Sequence, residues 1–572
     1  MPHTPTPSRR KTLQMLAGLP LLPLGAGASA TGLLAACGGG SDSTAAFKSA
    51  SFTGMAAPTL ANPAAMATTT VGSALKATFD DGSTQSFALA YQPFFITGDM
   101  VSDGKGGKLL AGGYYDIRNQ PIIDATVAGG ERQFFSDAPD GSSLLTVPNA
   151  KVDGVKGKPV FAVVQFEYTT WAQDGKTDMY GKLPSPIAVL TLDQDQATGK
   201  LSLVKYHNVD TSKVYGLWIT CGASLSPWGT HLSSEEYEPD AFTIGSNAMF
   251  KAYSQNLYGD AARANPYHYG HMPEVTVNPD GSASIKKHFC MGRISHELVQ
   301  VMPDQRTALM GDDATNSAYF VFVADREKDL SSGTLYAARV GAGFSIDPAS
   351  GSAAPLTWIR LGSATSAEIE QLANTLKPAD IMSVQAKDPG DASYTRIVAN
   401  GKAEWIKINP GMDKAAAFLE THRYAAYKGA SMGFTKMEGT TVNARDKVAY
   451  SALQNCEKSM VAGDAANVPG NGISIPRQLK AGEVMALSLR GGQKDTDGKA
   501  INSEWMPVDT KALLAGEDIA ADALGNTANP DRIANPDNLK FSEKLRTLFI
   551  GEDSSQHVNN FLWAYNVDTR QL

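Results

Sequence analysis

From about Thr78 onward the chain repeats one pattern: a short run of alternating apolar and polar residues, a turn signal, then a second such run. Examples are IAVLTLDQDQATGKLSLVKY from Ile187, EVTVNPDGSASIKKHF from Glu274 and TALMGDDATNSAYFVFVAD from Thr307. Later come TTVNARDKVAYSAL from Thr440 and DNLKFSEKLRTLFIGED from Asp537. A period of two, broken by Asn-Pro-Asp-Gly or similar turns, predicts antiparallel hairpins. No run of βαβ alternation occurs, which argues against a doubly wound parallel sheet. Helical spacing is confined to Ser366–Thr375, Asp413–Leu419 and a short stretch at Asp509–Leu514. Many hairpins in a long chain without a boundary linker predict an all-β domain, a β-propeller with insertions, with a pair of β-sandwiches as the competing architecture.

The first forty residues follow another grammar. Ser8-Arg9-Arg10-Lys11-Thr12-Leu13 precedes an apolar stretch from Leu16 to Leu34 that is interrupted by Pro20 and Pro23. A basic segment, an apolar segment and small residues make an export signal over residues 1–36, similar to a twin-arginine signal. Leu34-Ala35-Ala36-Cys37 resembles a lipobox, which implies a lipid anchor on Cys37; a simple secretory signal cut near Ala30 is the alternative. Residues 37–75, rich in Gly, Ser, Ala and Thr, are expected to be a flexible tether, with the β-domain at 76–572. These features place the protein in the periplasm or at the cell surface.

The 572 residues carry a net charge of −8, and removal of residues 1–36, which hold three basic and no acidic side chains, takes it to −11. Nucleic acid therefore finds no electrostatic attraction. An acidic chain that binds an anion needs cations to do so. Three cysteines remain after Cys37, namely Cys221, Cys290 and Cys456, so at least one lacks an intramolecular partner. No C-x-x-C pair suggests structural zinc, and no Gly-x-Ser-x-Gly elbow supports serine hydrolysis.

The most informative stretch is CGASLSPWGTHLSSEEYE, Cys221 to Glu238. On a strand, Glu235 and Glu236 face opposite sides, so one can enter a pocket while the other meets solvent or a second ion. With its Ser-Pro-Trp-Gly turn, the string resembles the PhoX family of bacterial alkaline phosphatases. Five further segments are similar in the same order: GRISHE from Gly292, LMGDDATNSAYFVFVAD from Leu309, SGTLYAARV from Ser332, GFTKMEGTTVN from Gly433 and NPDNLKF from Asn535. The resemblance runs from about Cys221 to the C-terminus and is loose before Trp218.

It implies a six-bladed propeller with iron (Fe3+) and calcium (Ca2+) at its centre, acting as a monomer on small phosphate esters. Carried over by position, Cys221 would supply a thiolate to iron. Glu236, Glu274, Glu297 and Glu438 become carboxylate ligands, joined by Asp312, Asp313 and Asp537, although those aspartates also suit tight turns. Lys436 stands where the family commonly has arginine, so a point charge replaces a bidentate fork, and Met437 replaces a frequent proline. The donor chemistry is coherent on its own: carboxylates suit calcium, and a thiolate suits a transition metal. Two other readings stay open, a non-catalytic calcium-binding lipoprotein and a calcium-dependent lactonase or esterase.

Overall fold

The computed structural model describes residues 45–57, 70–468 and 470–572. The export signal and Cys37 lie outside them. The chain divides into two compact units, residues 1–92 and 93–572. In the first, strands Phe47–Thr53, Thr70–Phe79 and Thr84–Ala90 form an antiparallel sheet, so part of the stretch expected as a tether is strand. Among the described residues no helix is long and apolar enough to cross a membrane.

The second unit is built from antiparallel hairpins. Lys158–Phe166 pairs with Ile187–Gln194, which pairs with Leu201–Asn208; Pro139–Leu145 closes the other edge. Met272–Val277 pairs with Ala283–His288, and Pro536–Ser542 leads a sheet with Thr547–Glu552 and Leu562–Asn566. Between them, Thr307–Ser317, Phe320–Arg326, Asp329–Val340 and Ala354–Thr365 run on into Asp509–Ala515, Glu483–Arg490, Val448–Leu453 and Phe434–Asn443.

That last set corrects the expected architecture. In a propeller each blade is a sheet of its own, yet here Thr307–Ser317 pairs with Phe320–Arg326 and also with Phe434–Asn443. Ala354–Thr365 likewise continues the ladder into Asp509–Ala515. Eight strands thus close into one antiparallel barrel, and a six-bladed propeller is not formed. Irregularities between Asp312 and Thr315, and between Thr315 and Ser317, bend the shared strand enough for it to serve both partners. The all-β class holds.

Both faces of these strands are covered, which explains why AYFVFVAD is nearly continuous in apolar residues rather than alternating. Phe320, Phe322 and Ala324 pack into one layer with Met310 and Phe418, while Val321 and Val323 pack into another with Tyr336 and Trp358. The helices at Ser366–Thr375 and Asp413–Leu419 form where the spacing predicts them. Thr365 caps the first by accepting from the Glu368 amide. Asp509–Ala515 is instead a strand, because pairing with Glu483–Arg490 overrides the helix preference of Lys-Ala-Leu-Leu. Cys290 and Cys456 are buried free thiols.

Candidate metal centre

Three strands present an acid at their second position: Asp140 after Pro139, Glu297 after His296 and Asp537 after Pro536. Glu438 projects from Phe434–Asn443, and Glu167 follows directly on Lys158–Phe166. Cys221 and Glu236 flank the short pair Ser224–Leu225 and His231–Leu232. These elements bring their donors together in three overlapping groups: Asp140, Glu167 and Cys221; Cys221, Glu236 and Glu297; Glu297, Glu438 and Asp537. Within each group the ligand atoms lie within 4.8 Å of one another. Cys221 and Glu297 each belong to two groups, so the seven side chains form one continuous chain of donors.

Backbone contacts hold the chain in register. The Gly141 amide donates to the Cys221 carbonyl at 3.1 Å, and the Gly222 amide donates to Glu297 Oε1 at 2.8 Å. The Cys221 amide donates to Ser234 Oγ at 3.0 Å, and its thiol lies 3.7 Å from Asp140 Oδ2. Gln165 donates its side-chain amide to the Cys221 carbonyl. Strands approach so closely here that side chains between them are excluded. A Cβ on Gly439 would lie 2.3 Å from the Asp537 carbonyl oxygen, and one on Gly222 would lie 2.4 Å from Glu297 Oε1. Gly439→Ala is therefore expected to push Asp537 out of line, costing about 2 kcal/mol or more of stability and about tenfold or more in activity. Thermal melts and steady-state rates on the purified variant would check this.

Lys436 is the cation of the site. Its Nζ lies 2.6 Å from Asp313 Oδ2 and 2.7 Å from the Tyr237 hydroxyl, with Glu438 Oε1 at 3.7 Å. Tyr237 donates its own proton to Asp313 Oδ2 at 2.5 Å. Both Lys436 and Tyr237 take left-handed backbone angles, φ 51° and 47°, a strain of order 1 kcal/mol each that clusters at functional sites. The lysine side chain is 25 % exposed, so its charge reaches the surface while the acids beside it are buried.

The electrostatics follow from crowding. Burial, with repulsion from Glu167, Asp313 and Glu297, holds Glu236 well above the usual carboxylate range. Glu297, Glu438 and Asp537 are raised for the same reasons. Burial pushes Asp140 up to about 6, reinforced by Asp553 and opposed by the Cys221 hydrogen bond. The Cys221 thiol is likewise raised by burial and by Asp140, Glu236 and Glu297. Against burial, Asp313, Glu438 and Glu236 hold the Lys436 ammonium well above its ordinary value. One lysine does not balance this many acids. Glu297 Oε2, Asp313 Oδ1 and Glu438 Oε1 are moreover buried without a hydrogen-bond donor. Buried polar atoms are rarely left so. A thiol, crowded carboxylates and orphaned oxygens fit cations, which would release the protons that crowding otherwise retains.

Of the residues singled out from sequence, Cys221, Glu236, Glu297, Glu438 and Asp537 come together, with Lys436 and Asp313 beside them. Two stand elsewhere. Glu274 accepts from His288 at 2.7 Å, Trp228 at 2.9 Å and Thr230 at 2.6 Å, and pairs with Lys286. Those partners outweigh burial and hold it well below the usual range. Asp312 faces away from Asp313 and binds His422 at 2.9 Å, which also meets Glu238 at 2.9 Å. Against burial, these two acids push His422 up to about 10. Glu235 turns opposite to Glu236, as alternation requires, but into a buried ion pair with Lys287 at 2.8 Å rather than solvent. Asp140 and Glu167 escaped the sequence reading. Pro139-Asp140-Gly141 reads as a turn, and Glu167 ends an apolar run; the charged residue closing KPVFAVVQF was the one signal available.

Residues 193–568 match the profile of the alkaline phosphatase PhoX family. The chain belongs to that family. PhoX membership makes it a phosphatase-type hydrolase, and a metal-dependent one. Asp140 and Glu167 lie outside the matched PhoX span, contributed by strands that precede it. Among solved structures, Pseudomonas fluorescens PhoX in complex with vanadate, a transition-state analogue, is 19% identical with a TM-score of 0.49, covering 77% of this chain and 79% of that one. A candidate 6-phosphogluconolactonase from Bacteroides fragilis is 10% identical with a TM-score of 0.26, covering 87% and 90%. None of the curated proteins compared matches the chain.

Proposed function

We propose that this protein hydrolyses phosphate monoesters in the cell envelope, using iron and calcium held by the seven-residue chain of donors. The observation that carries the reading is the sharing of Cys221 and Glu297 between adjacent groups, because hydrolysis needs cations close enough to act on one phosphoryl group. The groups containing Cys221 suit iron, since a thiolate favours transition metals, and Glu297, Glu438 and Asp537 offer the all-oxygen set that calcium takes. When bound, the ions supply the positive charge that polarises the phosphorus–oxygen bonds and eases attack by water.

The protein's own groups do the rest. Asp313 and Tyr237 fix the Lys436 ammonium at the edge of the donor chain, leaving one N–H to meet a phosphoryl oxygen. Burial of Glu236, Glu297 and Glu438 keeps water from screening that contact. Envelope location rests on the Ser8–Leu13 and Leu34–Cys37 strings, with Cys37 as the lipid anchor. The test is elemental analysis of exported protein together with hydrolysis of p-nitrophenyl phosphate. Iron with calcium and turnover are expected; metal-free or inactive exported protein overturns the reading. Lys436→Ala is expected to lower kcat/KM by about 100-fold, whereas Lys436→Arg retains activity. Steady-state kinetics on both variants decide it.

A further inference from the structure

The donor supply for the substrate looks short. Two of the three N–H groups of Lys436 are committed, one to Asp313 and one to Tyr237, and the Tyr237 hydroxyl gives its proton to Asp313. A phosphoryl group carries three non-bridging oxygens, so one free N–H leaves most of it without a protein donor. Two tyrosines lie beside the donor chain, next to Glu167. Tyr168 directly follows Glu167, and its ring meets that of Tyr180 edge-on at 4.8 Å between centroids. Both side chains are half-buried. Neither hydroxyl has a protein hydrogen-bond partner among the described residues, and neither is sealed from solvent, so both are open to a ligand. By contrast the hydroxyls of Tyr253, Tyr267 and Tyr269 are all bonded, to Leu217, Glu420 and Tyr215.

We propose that Tyr168 and Tyr180 donate hydrogen bonds to the phosphoryl group of the bound ester, supplementing Lys436. The proposal rests on the phosphatase reading above. Both phenols lie within electrostatic reach of Glu167 and Glu236, and Tyr180 also of Cys221. A phenol keeps its proton at neutral pH, so each hydroxyl can donate to a phosphoryl oxygen. An anionic ester drawn in by cations supplies the acceptor that the protein does not. No proton is transferred; the hydroxyls only hold the phosphoryl oxygens as negative charge grows on them.

The test uses Tyr168→Phe, Tyr180→Phe and the double variant, which keep the ring contact and remove only the oxygens. With the metal-loaded full chain, kcat/KM for p-nitrophenyl phosphate is expected to fall about tenfold in each single variant and about 100-fold in the double. Inhibition by inorganic phosphate should weaken in parallel, with iron, calcium and melting temperature unchanged. Wild-type kinetics in the double variant would overturn the proposal. So would a loss of activity that tracks a loss of metal, since that marks a role in building the site. If the wild-type chain itself fails to hydrolyse the ester, the phosphatase reading fails instead.

Discussion

Cys221→Ala is expected to strip iron from the protein and to lower phosphate-ester hydrolysis by at least about 100-fold, while the β-domain stays folded. The sulfur is the one soft donor in the chain of seven and belongs to two of its three groups, so no neighbour substitutes for it. Its backbone is tied independently, by the Gly141 and Ser234 contacts, which is why the fold survives. Cys290→Ala is the control. That thiol sits against the Leu330 carbonyl and Ser366, away from the donor chain, and its loss should leave iron and turnover in place. Metal analysis, circular dichroism and rates on the two variants separate a ligand from a packing thiol. An active, iron-loaded Cys221→Ala protein would remove the central assignment.

Exhaustive chelation should abolish activity and invert the usual pH dependence of stability. In the metal-free protein Asp140 is pushed up to about 6. Glu236, Glu297, Glu438 and Asp537 are raised further, by burial and by one another. These groups bind protons in the folded state that the unfolded chain has already released, so stability falls as pH rises through the folded pKa values. Melting of the chelated protein is therefore expected to be higher at pH 6 than at pH 8, by about 5 °C or more. Restoring metal should raise the melting temperature most at pH 8, because bound ions take over the role of the protons. A chelated protein that melts at the same temperature across this range would show that the acids are not crowded together.

Local chemistry is what the sequence carried. The period-two runs and Asn-Pro-Asp-Gly turns placed hairpins correctly, because alternation and turn geometry are decided within a few residues. Thr365 and Glu368 announced the helix that begins at Ser366. The alternation of Glu235 and Glu236 was enough to send them to opposite sides, and Cys221, Glu297, Glu438 and Asp537 were readable from the motifs around them. Long-range pairing was not. Whether the Thr307–Ser317 strand ends a sheet or shares itself with Phe434–Asn443 depends on bulges and on a partner more than a hundred residues away. Thus a closed barrel stands where a propeller was expected.

The same limit governs the site. Sequence alone determined the inventory: an acidic chain with an odd thiol, acids in strand-edge motifs and a lysine two residues before Glu438. Only the tertiary structure decided which of those acids share a centre. Glu274 and Asp312 have the same credentials as Glu297 and Asp313 in the sequence, but fold beside His288 and His422, whose nitrogens satisfy them. Asp140 and Glu167, unremarkable where they stand in the chain, are carried to Cys221 by the strands that flank them. Pairing between distant strands sets the separation of charges, and separation of charges is what makes a carboxylate either a neutralised partner or a vacant donor.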